Sequence, residues 1–331
     1  MIKLTRRSLL ALAAGAAVPA GPGAADEIDE APIGLAGSRV RFATPAEARA
    51  VLMGDDGWLA RTGPFQRRAV MGRDGPVTLA EFTAWNGTAA RPWSAAQRVR
   101  WRRAAAALAP SFATLRIPLP PEVLLVASNG QESAGAPYTR AAAVVLPGEA
   151  SMPGYSDVML LAHELWHVAS RHAPALASRL VAELGFEPKP PLVLPPEWQE
   201  AEIVNPDAPD HTHAMRIDLG ERGAWVMPVL VASRTRLAPG ENFFSVMEVR
   251  LLEVEPTANG QGSQAVRHEG RPRWHAVDGT HDYLKRLGGN TGYVIHPEEA
   301  LADNIALLAT GGPARNRALL DRLRAGLLAP R

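Results

Sequence analysis

The sequence predicts an α+β fold, and three observations lead to that prediction. The first is a set of stretches with helical periodicity, which begin at capping residues and end at glycine or proline. The second is a pair of short apolar runs, EVLLVAS at 122–128 and RAAAVVLP at 140–147, which are typical of buried strands. The third is a β-rich stretch at about 205–275, where HAMRIDL, AWVMPVLVAS and FSVMEVRLLEVE each have the composition of a strand.

The composition is that of a globular protein with a substantial core. The chain has 331 residues, 47% of them hydrophobic and 21% charged, which suffices for one large domain or two modest ones. No run reaches the roughly 18 apolar residues of a membrane span. Cysteine is absent, so any metal ion must be held by His, Asp, Glu or water.

The N-terminal stretch MIKLTRRSLLALAAGAAVPAGPGAADE has the layout of a cleaved signal peptide. A basic start and a short Ala/Leu-rich middle precede small residues, and we place the signal at residues 1–25. Arg6 and Arg7 resemble the pair of a twin-arginine export signal. The alternative is an ordinary secretory signal with two chance arginines. Both predict an exported protein, and we expect the bacterial periplasm.

The charge balance predicts no polyanionic partner. The leader contains Lys3, Arg6 and Arg7, so its removal lowers the net charge of +1 by three, to −2. A nearly neutral chain provides no general attraction to nucleic acid or anionic membranes. The basic cluster RVRWRR at 98–103 is local, and we interpret it as a solvated helix face.

After the leader, we expect an N-terminal mixed, largely helical region at 26–135. Thr44 before Pro45 predicts a helix start, because Thr caps the free N–H groups and Pro suits the first turn. A second helix is expected from about Ser94 to Leu108.

Residues 136–331 form the region that we expect to carry the functional site, with the β-rich stretch at about 205–275 as an insert. Ser156 and Asp157 predict the start of a helix that ends before Pro174. A further amphipathic helix is expected at 175–186. Pro297 predicts the start of a final helix, which ends at Gly311 or Gly312.

The helix predicted after Ser156 carries HELWH within an otherwise apolar run, MLLAHELWHVAS. Residues four apart lie one turn apart on the same face, so His163 and His167 can bind one metal ion. Glu164 is turned by about 100° and can reach water beside that ion. This is the H-E-x-x-H arrangement of two zinc ligands and a general base, in which zinc lowers the pKa of its water. The alternative is a pair of core histidines with a glutamate at the helix edge.

A catalytic zinc site needs a third protein ligand. His172 is unsuitable, because five residues rotate it about 140° away from His167; we expect it at the helix end. Downstream, Glu299 and Asp303 in HPEEALADN lie four apart and face one side of a helix. Glu298 is a rival ligand, but the residue four positions later is an alanine. The alternative for Glu299 and Asp303 is an exposed helix face.

HELWH and the downstream E-x-x-A-D resemble the two motifs of the gluzincin metallopeptidases, including the prenyl-protein endopeptidases. The resemblance implies a zincin-like core with an active-site helix and a second ligand helix. It also implies that Glu299 is the third zinc ligand and that Asp303 accepts a hydrogen bond from His163. The chain departs from the family in the 132 positions between His167 and Glu299, a separation larger than in many gluzincins.

Four further features lie outside the two motifs. Gluzincins commonly stabilise the oxyanion with a Tyr or His, and Tyr293 is a candidate for this role; the alternative is a surface tyrosine on a strand. His296 could assist or cap the last helix. His211 and His213 share one face of an extended segment and could bind a second metal, the alternative being an exposed loop. The turn cluster NPDAPD at 205–210 could border the cleft, with no chemistry assigned.

In zincins a strand near the site pairs with the substrate backbone. By this parallel, RAAAVVLP just before the metal helix is a candidate for pairing with an extended peptide.

These features together predict an exported zinc metallopeptidase that hydrolyses a peptide or protein substrate. His163, His167 and Glu299 are the expected zinc ligands, Glu164 the base, Tyr293 the oxyanion donor and Asp303 the hydrogen-bond partner of His163. One alternative is a non-catalytic periplasmic zinc-binding protein on the same scaffold. Another is a zinc amidase that acts on a cell-wall component.

Overall fold

The computed structural model describes residues 31–330, so the predicted signal at 1–25 lies outside the described residues. The helices are α1 Pro45–Met53, α2 Trp58–Arg61, α3 Pro64–Val70, α4 Leu79–Gly87, α5 Ala95–Leu115, α6 Asp157–His172, α7 Pro174–Ala182, α8 Pro196–Gln199, α9 Tyr283–Arg286, α10 Pro297–Thr310 and α11 Arg317–Leu328. The strands are β1 Ile33–Leu35, β2 Ser38–Phe42, β3 Glu122–Ser128, β4 Tyr138–Arg140, β5 Ala143–Pro147, β6 Phe186–Pro188, β7 His213–Asp218, β8 Gly223–Ala232, β9 Met247–Pro256, β10 Ser263–Ala265, β11 Arg267–His268, β12 Arg271–Pro272 and β13 Trp274–Ala276. This mixture of helices and sheets is the α+β class that the sequence predicts.

The first sheet has the strand order β1-β2-β3-β5-β4. Its three central strands run parallel, and the two edge strands run antiparallel to their neighbours. Val144 and Leu146 face the main core, which α5 and α6 share, whereas Val145 faces a smaller core beside α1. Both faces of this sheet are therefore covered by helices.

RAAAVVLP forms two strands where we expected one. Ala141 adopts a left-handed conformation (φ 47°), so the chain turns after β4 and returns as β5. As a result β5 is an inner strand, hydrogen-bonded to β3 on one side and to β4 on the other. Its backbone has no free edge, and the prediction that it pairs with a peptide is wrong.

The β-rich stretch forms a second, antiparallel sheet with the order β10-β9-β8-β7-β6, and β13 also pairs with β9. The longest pairing joins β8 and β9, from Val226 opposite Glu253 to Ala232 opposite Met247. Val226 and Leu251 face the main core, and Met227 and Leu252 pack on the other side with Trp198. The alternation follows from the two-residue repeat of a strand.

The helix that carries HELWH begins where its cap predicts. The Ser156 side chain accepts a hydrogen bond from the Met159 N–H, and Asp157 lies in the first turn, where a negative charge is favourable. All residues from Leu160 to Ser170 are buried. α10 packs beside α6, begins with Pro297 and ends at Thr310, and the capping residue Gly311 has a φ of 66°, which suits glycine. Within residues 31–330, no helix is both long and apolar enough to cross a membrane.

Three helix predictions differ from the structure. α5 continues past Leu108 to Leu115, with Pro110 inside it. α7 ends at Ala182, before the expected 186, because the chain turns at Gly185 (φ 88°) and Phe186 joins β6. α10 is not the last helix: α11 follows, with an apolar stripe of Leu319, Leu320, Leu323 and Leu327 against the main core.

Candidate metal centre

Three side chains from two neighbouring helices converge at one point. α6 supplies His163 and His167, one turn apart, and α10 supplies Glu299 from its first turn. The Nε2 atoms of the two histidines are 3.1 Å apart. Glu299 Oε2 lies 3.1 Å from Nε2 of His163 and 3.4 Å from Nε2 of His167. All three side chains are at most 2% exposed. This buried group could bind a metal ion.

The other nitrogen of each imidazole faces a carboxylate. His163 Nδ1 lies 2.8 Å from Asp303 Oδ1, and His167 Nδ1 lies 3.5 Å from Glu298 Oε1. Since a carboxylate accepts hydrogen bonds, Nδ1 of His163 carries the proton and its Nε2 lone pair points at Glu299. The lone pairs of two imidazoles and one carboxylate meet here in a buried space. They repel one another unless a cation lies between them. The residues therefore fit a bound metal ion.

Without a metal, a proton supplies that positive charge. Burial lowers the pKa of His163, but the hydrogen bonds to Asp303 and Glu299 outweigh burial and raise the pKa to about 10. Burial raises the pKa of Glu299, while the charge of His167 and the hydrogen bond to His163 bring it well below the usual range. The anionic form of Glu299 is the one that can coordinate a cation.

Further polar side chains hold the carboxylates in place. Tyr155 donates its hydroxyl proton to Asp303 Oδ1, and Thr291 donates to Oδ2. Asn205 donates from Nδ2 to Glu299 Oε1 at 2.5 Å, which leaves Oε2 to face the histidines. Asn205, Tyr155 and Thr291 were not predicted from the sequence. Asn205 lies in the turn cluster at 205–210, and no sequence signal marks the other two.

Glu164 lies beside the three candidate ligands on the wall of a cleft of about 870 Å³. Its side chain is buried, and its Oε2 has no hydrogen-bond partner among the described residues. Burial, followed by the charge of Asp207, raises the pKa of Glu164 to about 8. A cation at the neighbouring site lowers such a pKa, because it stabilises the carboxylate. Glu164 is therefore placed to exchange a proton with a molecule in the cleft.

Tyr293 also lines the cleft, in an irregular segment before α10, and not on a strand. Its ring centre lies 6.0 Å from that of His163. Burial, and then the charge of Glu299, raise the pKa of Tyr293 well above its usual value, so the phenol keeps its proton. This places the hydroxyl group of Tyr293 near the candidate site as a hydrogen-bond donor.

The remaining histidines lie apart from the centre. His172 is exposed at the end of α6. His296 caps α10: its Nδ1 accepts from the Glu298 N–H, and its Nε2 donates to the main-chain oxygen of Asp210. His211 and His213 are partly buried, which corrects the expectation of an exposed loop. Within residues 31–330, neither joins a group of three side chains that could hold a metal.

The loop at 205–210 covers the β4 edge of the first sheet. Asp207 Oδ1 accepts hydrogen bonds from the Thr139 N–H at 2.7 Å and from the Thr139 hydroxyl at 2.5 Å. Arg171 adds to this contact from α6, with a hydrogen bond to the main-chain oxygen of Asp207 at 3.2 Å. Burial, outweighing the opposing charge of His167, raises the pKa of Asp207. The outward-facing N–H of edge strand β4 is therefore already paired.

Comparisons with known proteins leave the family open. No family model, curated protein or solved structure matches the chain. Functional inference therefore depends on the geometry of the centre and the cleft.

Proposed function

We propose that the protein is a zinc-dependent metallopeptidase. The observation that carries this proposal is the convergence of His163, His167 and Glu299 beside an unpartnered Glu164 on the wall of a large cleft. Two imidazoles and a carboxylate are a common ligand set of catalytic zinc. Ligand atoms at about 2.0 to 2.1 Å from one tetrahedral ion lie roughly 3.3 Å apart. The observed 3.1 to 3.4 Å agrees with that spacing.

A catalytic role is favoured over a purely structural one by the surroundings of the ligands. Structural zinc sites are closed by four protein ligands, whereas catalytic sites keep a position for water or substrate. His163 and Glu299 line the same cleft as Glu164, so a bound ion would be reached from that side. This supports hydrolysis over the alternative of a non-catalytic zinc-binding protein.

Bound zinc supplies a Lewis acid that polarises a carbonyl and activates water. Glu164 takes the proton from the attacking water and delivers it to the leaving amine nitrogen. Tyr293, kept protonated by burial, donates a hydrogen bond to the developing oxyanion. Asp303 holds the imidazole of His163 through its Nδ1 atom.

The arrangement also supports the resemblance to the gluzincins. α6 carries HELWH, α10 carries E-x-x-A-D, and the two helices pack so that Asp303 faces His163 as the resemblance implies. A zincin-like core and export to the periplasm remain part of this proposal.

The test is a screen of zinc-reconstituted protein against a diverse peptide mixture, with products identified by mass spectrometry. We expect new peptide termini with the wild type and nearly none with Glu164→Gln. Glu183→Gln is the matched control, because Glu183 lies on the surface and pairs with Arg322. Equal cleavage by wild type and Glu164→Gln would contradict the proposed mechanism.

A further inference from the structure

Asp207 is a buried carboxylate that faces the cleft with one oxygen unused. Its side chain lines the cleft beside Glu164, and the residue is 9% exposed. Thr139 occupies Oδ1 through two hydrogen bonds, and within residues 31–330 Oδ2 has none. This oxygen is free to accept a hydrogen bond from a group that enters the cleft.

No cation of the described chain contacts this carboxylate. The guanidinium of Arg171 lies nearby but donates to the main-chain oxygen of Asp207 and to the Thr139 hydroxyl. Within residues 31–330, no Lys or Arg nitrogen lies within 4.0 Å of the carboxylate oxygens of Asp207. The carboxylate of Glu299 adds further negative charge near it. The cleft can therefore accept a positively charged group of a ligand at this point.

The hydrogen bonds between Thr139 and Asp207 also occupy the β4 edge of the first sheet, on which a longer substrate could otherwise extend. A peptide that crosses a cleft in extended form gains affinity by pairing with a free strand edge. Here β4 is the edge strand beside the 205–210 loop, and its outward Thr139 N–H is bound to Asp207. A substrate that ends at Asp207 needs no such pairing. The geometry favours a chain terminus at this position over a continuing chain.

A small cavity, which we call the inner chamber, adjoins the cleft at Asp207. It has a volume of about 80 Å³ and shares Pro137, Asp207 and Tyr293 with the cleft. Its walls are mainly apolar, formed by Trp58, Ile203, Leu230, Phe243, Phe244 and Ile295. A cavity that binds benzene measures roughly 150 Å³. The chamber therefore suits an aliphatic side chain better than an aromatic one.

We propose that Asp207 Oδ2 binds the α-ammonium group of a peptide whose first side chain enters the inner chamber, so that the protein is an aminopeptidase for aliphatic N-terminal residues. The cleavage step depends on the proposed zinc peptidase function, whereas the ammonium site does not. In that step the oxygen of water bonds to the first carbonyl carbon and the C–N bond breaks. The leaving nitrogen takes a proton through Glu164, and the products are a free amino acid and a shortened peptide.

The ammonium site is tested by calorimetry on the zinc-loaded Glu164→Gln protein, which binds without turnover. The ligands are Leu-Gly-Gly, its N-acetyl form and its des-amino analogue, in which hydrogen replaces the ammonium group. We expect the free peptide to bind at least about tenfold more tightly than the other two, because they lack the cation. Asp207→Asn in the same background should remove most of this difference. Asp210→Asn is the matched control, because this exposed loop carboxylate pairs with Arg61 outside the cleft.

Equal affinity for all three ligands would overturn the ammonium site. This comparison is made on protein that keeps Asp207, so it does not depend on whether Asp207→Asn folds. Hydrolysis by the wild-type protein is measured in parallel, on Leu-Gly-Gly and on a peptide acetylated at its N-terminus. Cleavage of both at similar rates would overturn the aminopeptidase proposal and leave the peptidase function standing. A preference for the ammonium in binding, without hydrolysis of any peptide, would support the site and contradict the peptidase function.

Discussion

His163 Nδ1 and Asp303 Oδ1 lie 2.8 Å apart, although 140 positions separate them in the chain. The contact joins the middle of α6 to the middle of α10 inside the main core. It fixes which nitrogen of His163 carries a proton, and therefore which nitrogen faces His167 and Glu299. The packing of two helices thus sets the chemistry of the candidate centre.

Replacing Asp303 with asparagine should weaken zinc binding without unfolding the protein. An amide is a poorer acceptor for the Nδ1 proton of His163, and losses of such partners typically cost about 10- to 100-fold in metal affinity. The measurement is a competition titration with a chromophoric chelator. Asp321→Asn, on the exposed face of α11, is the control. Unchanged zinc affinity in Asp303→Asn would show that this contact does not tune the centre.

Asn205→Ala should also lower zinc affinity, because Glu299 Oε1 loses its hydrogen-bond donor and the carboxylate is free to rotate. We expect about a tenfold loss, at the lower end of the range for residues that hold a ligand. Asn259→Ala on the β9–β10 turn is the control, since its side chain accepts hydrogen bonds from Thr257 and Gln261 within the same turn. The same chelator titration measures the effect, and identical affinities would contradict the role of Asn205.

Acid should destabilise the protein through His211. Burial, then the charges of His296 and Arg61, lower the pKa of His211 from 6.5 to about 3. Between these values the unfolded chain binds a proton that the folded protein does not. The free energy of unfolding therefore falls as the pH drops from about 6.5 to 3, by on the order of 4 kcal/mol from this residue.

Urea unfolding at several pH values tests this prediction on wild type and His211→Gln. The variant should lose less stability than the wild type between pH 6.5 and 4. Parallel curves for the two proteins would show that His211 does not titrate as its burial implies.

Leu323→Ala should destabilise the protein by about 2 to 4 kcal/mol. Leu323 is fully buried where α11 packs on the main core, so the truncation leaves a cavity. Arg324→Ala is the neighbouring control on the exposed face of the same helix. Thermal unfolding followed by circular dichroism compares the two. A similar melting temperature for both variants would mean that α11 adds little to stability.

Local signals in the sequence predict the elements that form the centre. Ser156 and Pro297 mark the starts of the two helices because caps and first-turn prolines act within a few residues. The four-residue spacings of His163 with His167, and of Glu299 with Asp303, fix which side chains share a face. That α6 and α10 lie side by side came only from the resemblance, since spacing within one helix does not specify its neighbour.

The loop contributions could not be predicted, and the reason is physical. Asn205 and Asp207 lie in a turn cluster without periodicity, so the sequence gives no direction for their side chains. Their partners Glu299 and Thr139 are 94 and 68 positions away. The division of RAAAVVLP into β4 and β5 depends on the left-handed turn at Ala141, which alanine rarely adopts. The sequence does contain a signal for α11, namely leucines at helical spacing, and we did not predict this helix from it.

The central claim is that His163, His167 and Glu299 together hold zinc. Its most direct test is elemental analysis of the purified protein after zinc reconstitution and desalting, with Glu299→Ala and Glu298→Ala alongside. We expect about one zinc per chain in the wild type, as one three-ligand site binds one ion. Glu299→Ala should lose most of it, and Glu298→Ala should keep most of it. No zinc in the reconstituted wild type, or undiminished zinc in Glu299→Ala, would contradict the proposed ligand set.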